Sequence, residues 1–195
     1  CGPIGNFIGN YICNGIIAVH NIAGPLAVAL VGALFILLVS TGMHTVLIVF
    51  LFTTFPTMGY DAFILPGILS CSWAAAGVVL CCAFVKFKNA ENKSEAFSYF
   101  MTWLLGGVGE PMIYGLLLRY RMALLASIIA GGISGLIVGL LNLTAYVCNP
   151  SNGIYLLPAF FGGASKNYIV LGIGMVISVI VGFVTMFLLP MKEEN

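Results

Sequence analysis

The sequence predicts an all-α membrane protein, a polytopic transmembrane helix bundle with re-entrant segments. Of its 195 residues, 61% are hydrophobic and 7% are charged, whereas soluble domains carry about 25% charged residues. The mean hydropathy is +1.13. Several apolar stretches reach the roughly 20 residues that a helix needs to cross the hydrocarbon core. A net charge of +1 gives no sign of nucleic-acid binding.

The first third of the chain consists of apolar runs divided by glycine and proline. Residues 2–20 contain several glycines and predict a broken or tilted helix. Residues 26–40 predict a continuous helix, and residues 46–55 form the next apolar run. Residues 56–66 form an interrupted segment, because two prolines and Gly59 argue against a continuous helix.

Further spans are predicted at residues 68–85, 122–147 and 168–189. The span 122–147 carries glycines at four-residue spacing, a pattern that lets helices approach closely. Residues 86–95 form the extended polar stretch and are expected to lie in water. Residues 148–167 are mixed, with two prolines and a pair of glycines.

The stretch 103–120, WLLGGVGEPMIYGLLLRY, places Glu110 in an apolar run beside glycines and a proline. A lone acid at membrane depth is costly, so it is a candidate for a functional site. The neighbouring turn-forming residues predict that the helix breaks there.

The distribution of basic residues predicts the path of residues 96–120. If this stretch crosses the membrane once, the basic residues divide four to three and show no bias. If it dips in and returns, six basic residues share one side against Lys166 alone: Lys86, Lys88, Lys93, Arg119, Arg121 and Lys192. Cytoplasmic loops carry an excess of Lys and Arg, and each arm is too short to span. We therefore predict a re-entrant hairpin from the cytoplasm with GGVGEP at its tip, as transporters use for substrate sites.

Three ionisable side chains lie at three chain breaks: His44, Asp61 and Glu110. They are predicted to converge on one cavity near the membrane midplane. The alternative for each is a satisfied polar group in the bundle interior, an alternative that is strongest for Asp61. His20 adjoins a turn and is interpreted as interfacial and structural.

A carboxylate, an imidazole and backbone groups at glycine breaks suit a neutral polyhydroxyl ligand, and they also suit a cation. No G-x-x-x-x-G-K-[ST] nucleotide loop occurs in the sequence. The six cysteines form no CxxC pair and are interpreted as small hydrophobic side chains. We therefore expect no cofactor and no metal site.

Four motifs together resemble a known family. GGVGEPMIYGLLLRYR resembles the GITEPAIYG stretch of the membrane IIC subunit of phosphotransferase-system (PTS) sugar permeases, in the glucose and β-glucoside branch. GPIGNFIGN at residues 2–10, STGMHTVLIV at 40–49 and TTFPTMGYDAFILP at 53–66 are similar to the same branch in type and order. The resemblance covers nearly the whole chain.

The resemblance implies that residues 1–195 form the C-terminal transport domain of such a permease, with several spans and two re-entrant hairpins. Residues 148–167 would be the second hairpin. The N-terminal dimerisation half and the IIB and IIA domains would lie outside this chain, which alone is expected to be inactive. The intact permease would be a homodimer in the lipid bilayer of a bacterial cytoplasmic membrane. It would carry a sugar inward, and a IIB phosphocysteine domain would phosphorylate that sugar.

The resemblance also assigns residues to the sugar site. Glu110 would contact the sugar and act as the base at the phosphorylated hydroxyl. The other substrate-binding positions that it implies are His44, Asp61, Val108, Gly109 and Thr54.

The sequence departs from the family pattern at three places, and these departures leave the sugar unidentified. Gly109 replaces a threonine, Thr45 replaces a tryptophan, and Thr53-Thr54 replaces an asparagine pair. Two other classes of function stay open: a facilitator or ion-coupled carrier that uses Glu110 without phosphorylation, and an assembly fragment with no site.

Overall fold

Seven α-helices make up the part of the chain that the computed structural model describes, residues 24–191. They are α1 Gly24–Ser40, α2 His44–Met58, α3 Ile64–Cys81, α4 Ala90–Gly106, α5 Glu110–Met112, α6 Arg121–Leu140 and α7 Ser165–Leu188. Cys82–Lys86 and Ile113–Leu117 continue α3 and α5 as π-helical turns, and Gly153–Phe160 forms a 3₁₀ helix. The predicted helix at residues 2–20, the motif at 2–10 and His20 lie outside the described residues.

Within residues 24–191, three helices are long and apolar enough to cross a membrane: α3 with its π-helical turn, α6 and α7. Helices α1 and α2 are apolar but shorter. No named strand occurs within residues 24–191. The prediction of an all-α membrane bundle is therefore confirmed.

The helices of the bundle approach closely where glycines face each other, as the spacing in α6 predicts. A Cβ built at Gly131 of α6 would lie 2.2 Å from the Gly32 carbonyl oxygen of α1. A Cβ at Gly182 of α7 would lie 2.0 Å from the Ala74 carbonyl oxygen of α3. Helices α1, α3 and α7 thus pack on α6, and α3 also packs on α1 and α7, with backbone nearly touching backbone at the glycines.

One predicted boundary was wrong. Helix α2 continues through Pro56 and ends at Met58, before Gly59, whose φ is 74° and whose N–H donates to the Phe55 carbonyl at 2.8 Å. The polar stretch 86–95 includes the start of a helix, because α4 begins at Ala90. The Asn89 side chain accepts a hydrogen bond from the Glu91 N–H and starts the helix there.

The chain reverses direction at Gly107, where φ is 68°. Arg119 lies 3.9 Å from Glu95, and Gly115 lies against the Tyr99 ring. The residues of each pair lie equally far from Gly107 along the chain, one before it and one after it. Helix α4 and the segment from α5 onward therefore form the two arms of an antiparallel hairpin. The predicted hairpin shape is present, and its entry into a membrane stays a prediction.

Two of the basic residues lie near opposite ends of α7. Lys86 Nζ donates to the carbonyls of Phe187 at 3.0 Å and Leu189 at 2.8 Å, so the ends of α3 and α7 meet at the base of the hairpin. Lys166 is the second residue of α7, at the opposite end of that helix. Lys192 lies outside the described residues.

Residues 141–164 form a second reversal, made of loop and 3₁₀ helix rather than paired α-helices. The N–H groups of Tyr146 and Val147 both donate to the Ala159 carbonyl, which joins the outgoing and returning limbs. At the far end, the Tyr155 hydroxyl donates to the Leu105 carbonyl at 3.1 Å. The tip of this loop therefore meets the tip of the first hairpin.

Candidate functional site

A cavity of about 430 Å³ lies where the two reversals meet α1, α2 and α3. This volume is within the roughly 300–1,000 Å³ of small-molecule sites. Its wall is apolar along α1 and along Ile48, Val49 and Phe52 of α2, and polar groups come from the start of α2, from α3 and from the two tips. The polar residues along it are His44, Thr45, Ser72, Glu110, Ser151 and Asn152. An apolar wall with a few converging polar groups is typical of a ligand site.

Glu110 begins the short helix α5, directly after the hairpin tip. Its side chain is exposed and has no hydrogen bond or ion pair to any residue between 24 and 191. It lines both the cavity and a more open groove, which Val108, Tyr114 and Asn152 also line. The carboxylate can therefore accept a hydrogen bond or a proton from a ligand in the cavity.

His44 begins α2 after a turn at Gly42, where φ is 73°. Its ring meets Phe35 edge-on at 6.3 Å. Its Nδ1 is buried and has no hydrogen-bond partner in the described part of the chain. An unsatisfied buried polar atom costs about 1–3 kcal/mol. The imidazole thus has hydrogen-bonding capacity left for a ligand.

Trp103 is a cavity residue that sequence reasoning missed. It is 1% exposed, and its Nε1 is buried without a partner among the residues from 24 to 191. The sequence signal was present: in a hairpin centred near residue 107, Trp103 on one arm faces the start of the other. Ser72 and Asn152 were also missed, and they contact each other at 3.4 Å, Oγ to Oδ1.

Asp61 is placed differently from Glu110. It is 5% exposed and does not line the cavity. Its carboxylate accepts hydrogen bonds from the N–H groups of Ile64 at 3.2 Å and Leu65 at 2.5 Å. Its backbone pairs with Ala145 in both directions, at 2.9 and 2.7 Å. The structure supports the alternative of a satisfied polar group that holds the start of α3, and a role in ligand binding stays a prediction.

The remaining predicted positions divide between the cavity and other surfaces. Gly109 and Thr45 line the cavity. Val108 is 43% exposed and lines the open groove. Thr54 lies outside both, and its hydroxyl donates to the Phe50 carbonyl at 2.9 Å. The structure thus brings His44, Gly109 and Glu110 together, and their contact with a ligand stays a prediction.

The cysteines of the described segment show no sign of phosphoryl or metal chemistry. Cys71, Cys81 and Cys82 are buried. Burial, followed by the Asp61 charge, raises the pKa of the Cys148 thiol, so this thiol is a weak nucleophile at neutral pH. Within residues 24–191, no three His, Cys, Asp or Glu side chains lie together as a metal site requires.

The protein is thus a membrane helix bundle with an internal cavity at two opposed chain reversals. The sequence profile of the family "Phosphotransferase system, EIIC" matches residues 1–132. The chain belongs to this family, which confirms the resemblance seen in its motifs. Since family members are bacterial membrane permeases, and three helices here can span a membrane, the chain is a multi-pass protein of a bacterial cell membrane.

Three curated relatives show the extent of the similarity. The chain is 31% identical over 193 residues to the PTS system arbutin-, cellobiose-, and salicin-specific EIIBC component of Escherichia coli K12, covering 98% of this chain and 39% of that protein. It is 28% identical to the β-glucoside-specific EIIBCA component of Bacillus subtilis 168, with 98% and 30% covered. It is 30% identical to the sucrose-specific EIIBC component of Pasteurella multocida, with 99% and 40% covered. No solved structure matches.

Proposed function

We propose that this chain is the sugar-binding transport domain of a PTS permease, which moves a sugar across the membrane and presents it for phosphorylation. The observation that carries the proposal is the position of Glu110, in a GxxEP motif, between the cavity and the open groove. A hydroxyl held in the cavity would be accessible from the groove. The chain spans 39% of the first relative, so the activity belongs to a longer permease.

The proposed substrate is a glucose or β-glucoside type of sugar. Relatives carry names that specify arbutin, cellobiose, salicin and β-glucosides. In the cavity, His44 and Glu110 supply polar contacts, while Phe35 and Phe52 supply apolar surface for the faces of a pyranose ring. A neutral polyhydroxyl ligand needs this mixture of directed polar groups and apolar wall.

The proposed chemistry is general-base catalysis of phosphoryl transfer. Glu110 takes the proton from a sugar hydroxyl while the hydroxyl oxygen attacks the phosphorus of a phosphocysteine. A P–O bond forms, the P–S bond breaks, and the cysteine leaves as a thiolate. A positioned general base typically contributes about 10²–10⁴ to the rate.

The proposed phosphoryl donor is a IIB domain, and the curated relatives are named as EIIBC or EIIBCA components. The basic residues at the base of the hairpin would attract the phosphorylated domain to the cytoplasmic face. Following the resemblance, we also propose that the intact permease is a homodimer and that this chain by itself is inactive.

Sugar uptake by the intact permease tests the proposal. Vesicles containing the permease are supplied with radiolabelled methyl β-D-glucopyranoside, with and without the phosphorylated donor chain. Uptake should require the donor, and the sugar recovered inside should be phosphorylated. Donor-independent entry of unmodified sugar would contradict the proposal and favour a facilitator or an ion-coupled carrier.

A further inference from the structure

Gly109 has no side chain, although its backbone does not require glycine. Its φ of −87° and ψ of −20° lie in the right-handed helical region that any residue adopts. A Cβ built there would make ordinary van der Waals contacts, 3.6 Å from Asn152 Nδ2 and 3.8 Å from Trp103 Cδ1. Gly107, by contrast, has a φ of 68°. The fold therefore explains glycine at 107 and does not explain it at 109.

The space that Gly109 leaves open lies between two polar groups. Trp103 Cδ1 faces it, and the adjoining Nε1–H is buried without a partner in the described ranges. The Asn152 amide nitrogen faces the same space, and the Asn152 Oδ1 accepts from the Ser72 hydroxyl at 3.4 Å. The Asn152 amide nitrogen and the edge of the Trp103 ring that carries the buried Nε1–H thus border a space next to Glu110, and all of these residues line the cavity.

We propose that Gly109, Trp103 and Asn152 form a specificity-determining niche that receives one hydroxyl group of the sugar. The Trp103 and Asn152 N–H groups donate hydrogen bonds to the oxygen of that hydroxyl, and a side chain at position 109 would occupy its place. This inference rests on the proposed function, since it takes the ligand to be a sugar. The niche adds a basis for selectivity: the permease prefers a sugar with a hydroxyl group that fits the space beside Gly109.

The competing explanation for the Trp103 indole is packing. Its ring meets the Trp73 ring edge-on, with centroids 5.2 Å apart. If packing were the sole role, substitutions at Trp103 would change stability and leave the choice among sugars unaltered. Trp73 provides a matched control, because its Nε1 is also buried and unpartnered within 24–191 but it does not line the cavity.

The test is equilibrium binding to the intact, detergent-solubilised permease without any phosphodonor. The probes are methyl β-D-glucopyranoside and its 2-, 3-, 4- and 6-deoxy analogues. A site that hydrogen-bonds a hydroxyl rejects the analogue that lacks it, so the native protein should bind one analogue at least about tenfold more weakly than the parent sugar.

Gly109→Thr and Trp103→Phe should weaken binding of the parent sugar about tenfold and leave that one deoxy analogue almost unaffected. The affinity difference between the parent sugar and that analogue should therefore disappear in both variants, and Gly109→Ala should reduce it in part. Trp73→Phe should retain it. Since a Cβ at position 109 meets no close contact, the Gly109→Ala variant reports on the niche even if Gly109→Thr or Trp103→Phe is unstable.

Two results would contradict the proposed niche. One is that Gly109→Thr and Trp103→Phe weaken binding of the parent sugar and of all four analogues equally. The other is that neither variant changes binding. The design also separates the niche from the proposed function. If selective binding follows the prediction but added donor yields no sugar phosphate, the proposed chemistry fails and the niche stands. If the native protein binds none of the five sugars, the β-glucoside substrate class and the niche fail together.

Discussion

Asp61 and Glu110 are both acids that follow a glycine-containing break in an apolar run, yet they differ in burial and in the hydrogen bonds that their carboxylates accept from the protein. Asp61 is buried, and backbone N–H groups of its own chain satisfy its carboxylate. Glu110 is exposed beside a cavity, with no side-chain partner among the described residues. One break is part of the bundle, and the other is part of a hairpin tip.

The difference shows how a membrane bundle separates structural from functional acids. A carboxylate that receives several backbone hydrogen bonds contributes to the start of a helix and has little capacity left for a ligand. A carboxylate at an irregular tip that lines a cavity keeps its acceptors available. The number of hydrogen bonds that a carboxylate accepts from the protein is therefore a better guide to its function than its position in an apolar run.

The largest expected effect is that of Glu110→Gln, because it removes the proposed base and keeps the shape of the side chain. Sugar phosphorylation by the intact permease should fall at least about 100-fold. Thermal unfolding should change little, since Glu110 makes no side-chain contact that the fold depends on among residues 24–191. Turnover measured with saturating phosphodonor checks this. Unchanged turnover would remove Glu110 from the mechanism.

Asp61→Asn should show the opposite behaviour. The amide keeps one acceptor oxygen but loses the charge that strengthens the hydrogen bonds from Ile64 and Leu65. Stability should fall by about 2 kcal/mol, while turnover per folded molecule stays near that of the native protein. Thermal unfolding and active-site-normalised turnover separate the two quantities. A loss of turnover as large as that of Glu110→Gln would return Asp61 to the sugar site.

The sequence was sufficient to predict the helix bundle and the reversal of the chain near residue 107. Glycine and proline interrupt apolar runs in a way that marks chain breaks, and the positions of the basic residues favour one path for residues 96–120. The three chain breaks also led to the expectation that His44, Asp61 and Glu110 would converge on one cavity, and of these His44 and Glu110 line it. These signals are short motifs or simple counts of residues along the chain, so they can be recognised without coordinates.

The rest depends on contacts between distant segments. Nothing near Asp61 in the sequence indicates that its carboxylate would turn to the backbone of α3, because the same pattern suits a ligand. Trp103 enters the cavity through the pairing of two hairpin arms, and Asn152 enters from the tip of a loop more than 40 residues further on. Both positions become evident once the two reversals are seen to meet.

A matched pair of glycine variants in α7 tests how tightly the bundle region is packed. A Cβ at Gly182 would lie 2.0 Å from the Ala74 carbonyl oxygen, whereas a Cβ at Gly172 meets nothing within 4 Å. Gly182→Ala should therefore destabilise the protein by about 1–3 kcal/mol, and Gly172→Ala should not. Denaturant titration of both variants in the same detergent measures the difference. Equal stability of the two would contradict the close α3–α7 contact.

The smallest effect is expected in the hairpin, where the close contact is with a side chain instead of a backbone. A Cβ at Gly115 would lie 2.5 Å from Tyr99 Cζ, but the Tyr99 ring is only partly buried and can move. Gly115→Ala should cost about 1 kcal/mol, and Tyr99→Leu in the same protein should recover at least about 0.5 kcal/mol of it. A double-mutant cycle in thermal unfolding measures this coupling. Additive effects would mean that the two arms do not pack at this point, and the hairpin that carries Glu110 would then need another means of support.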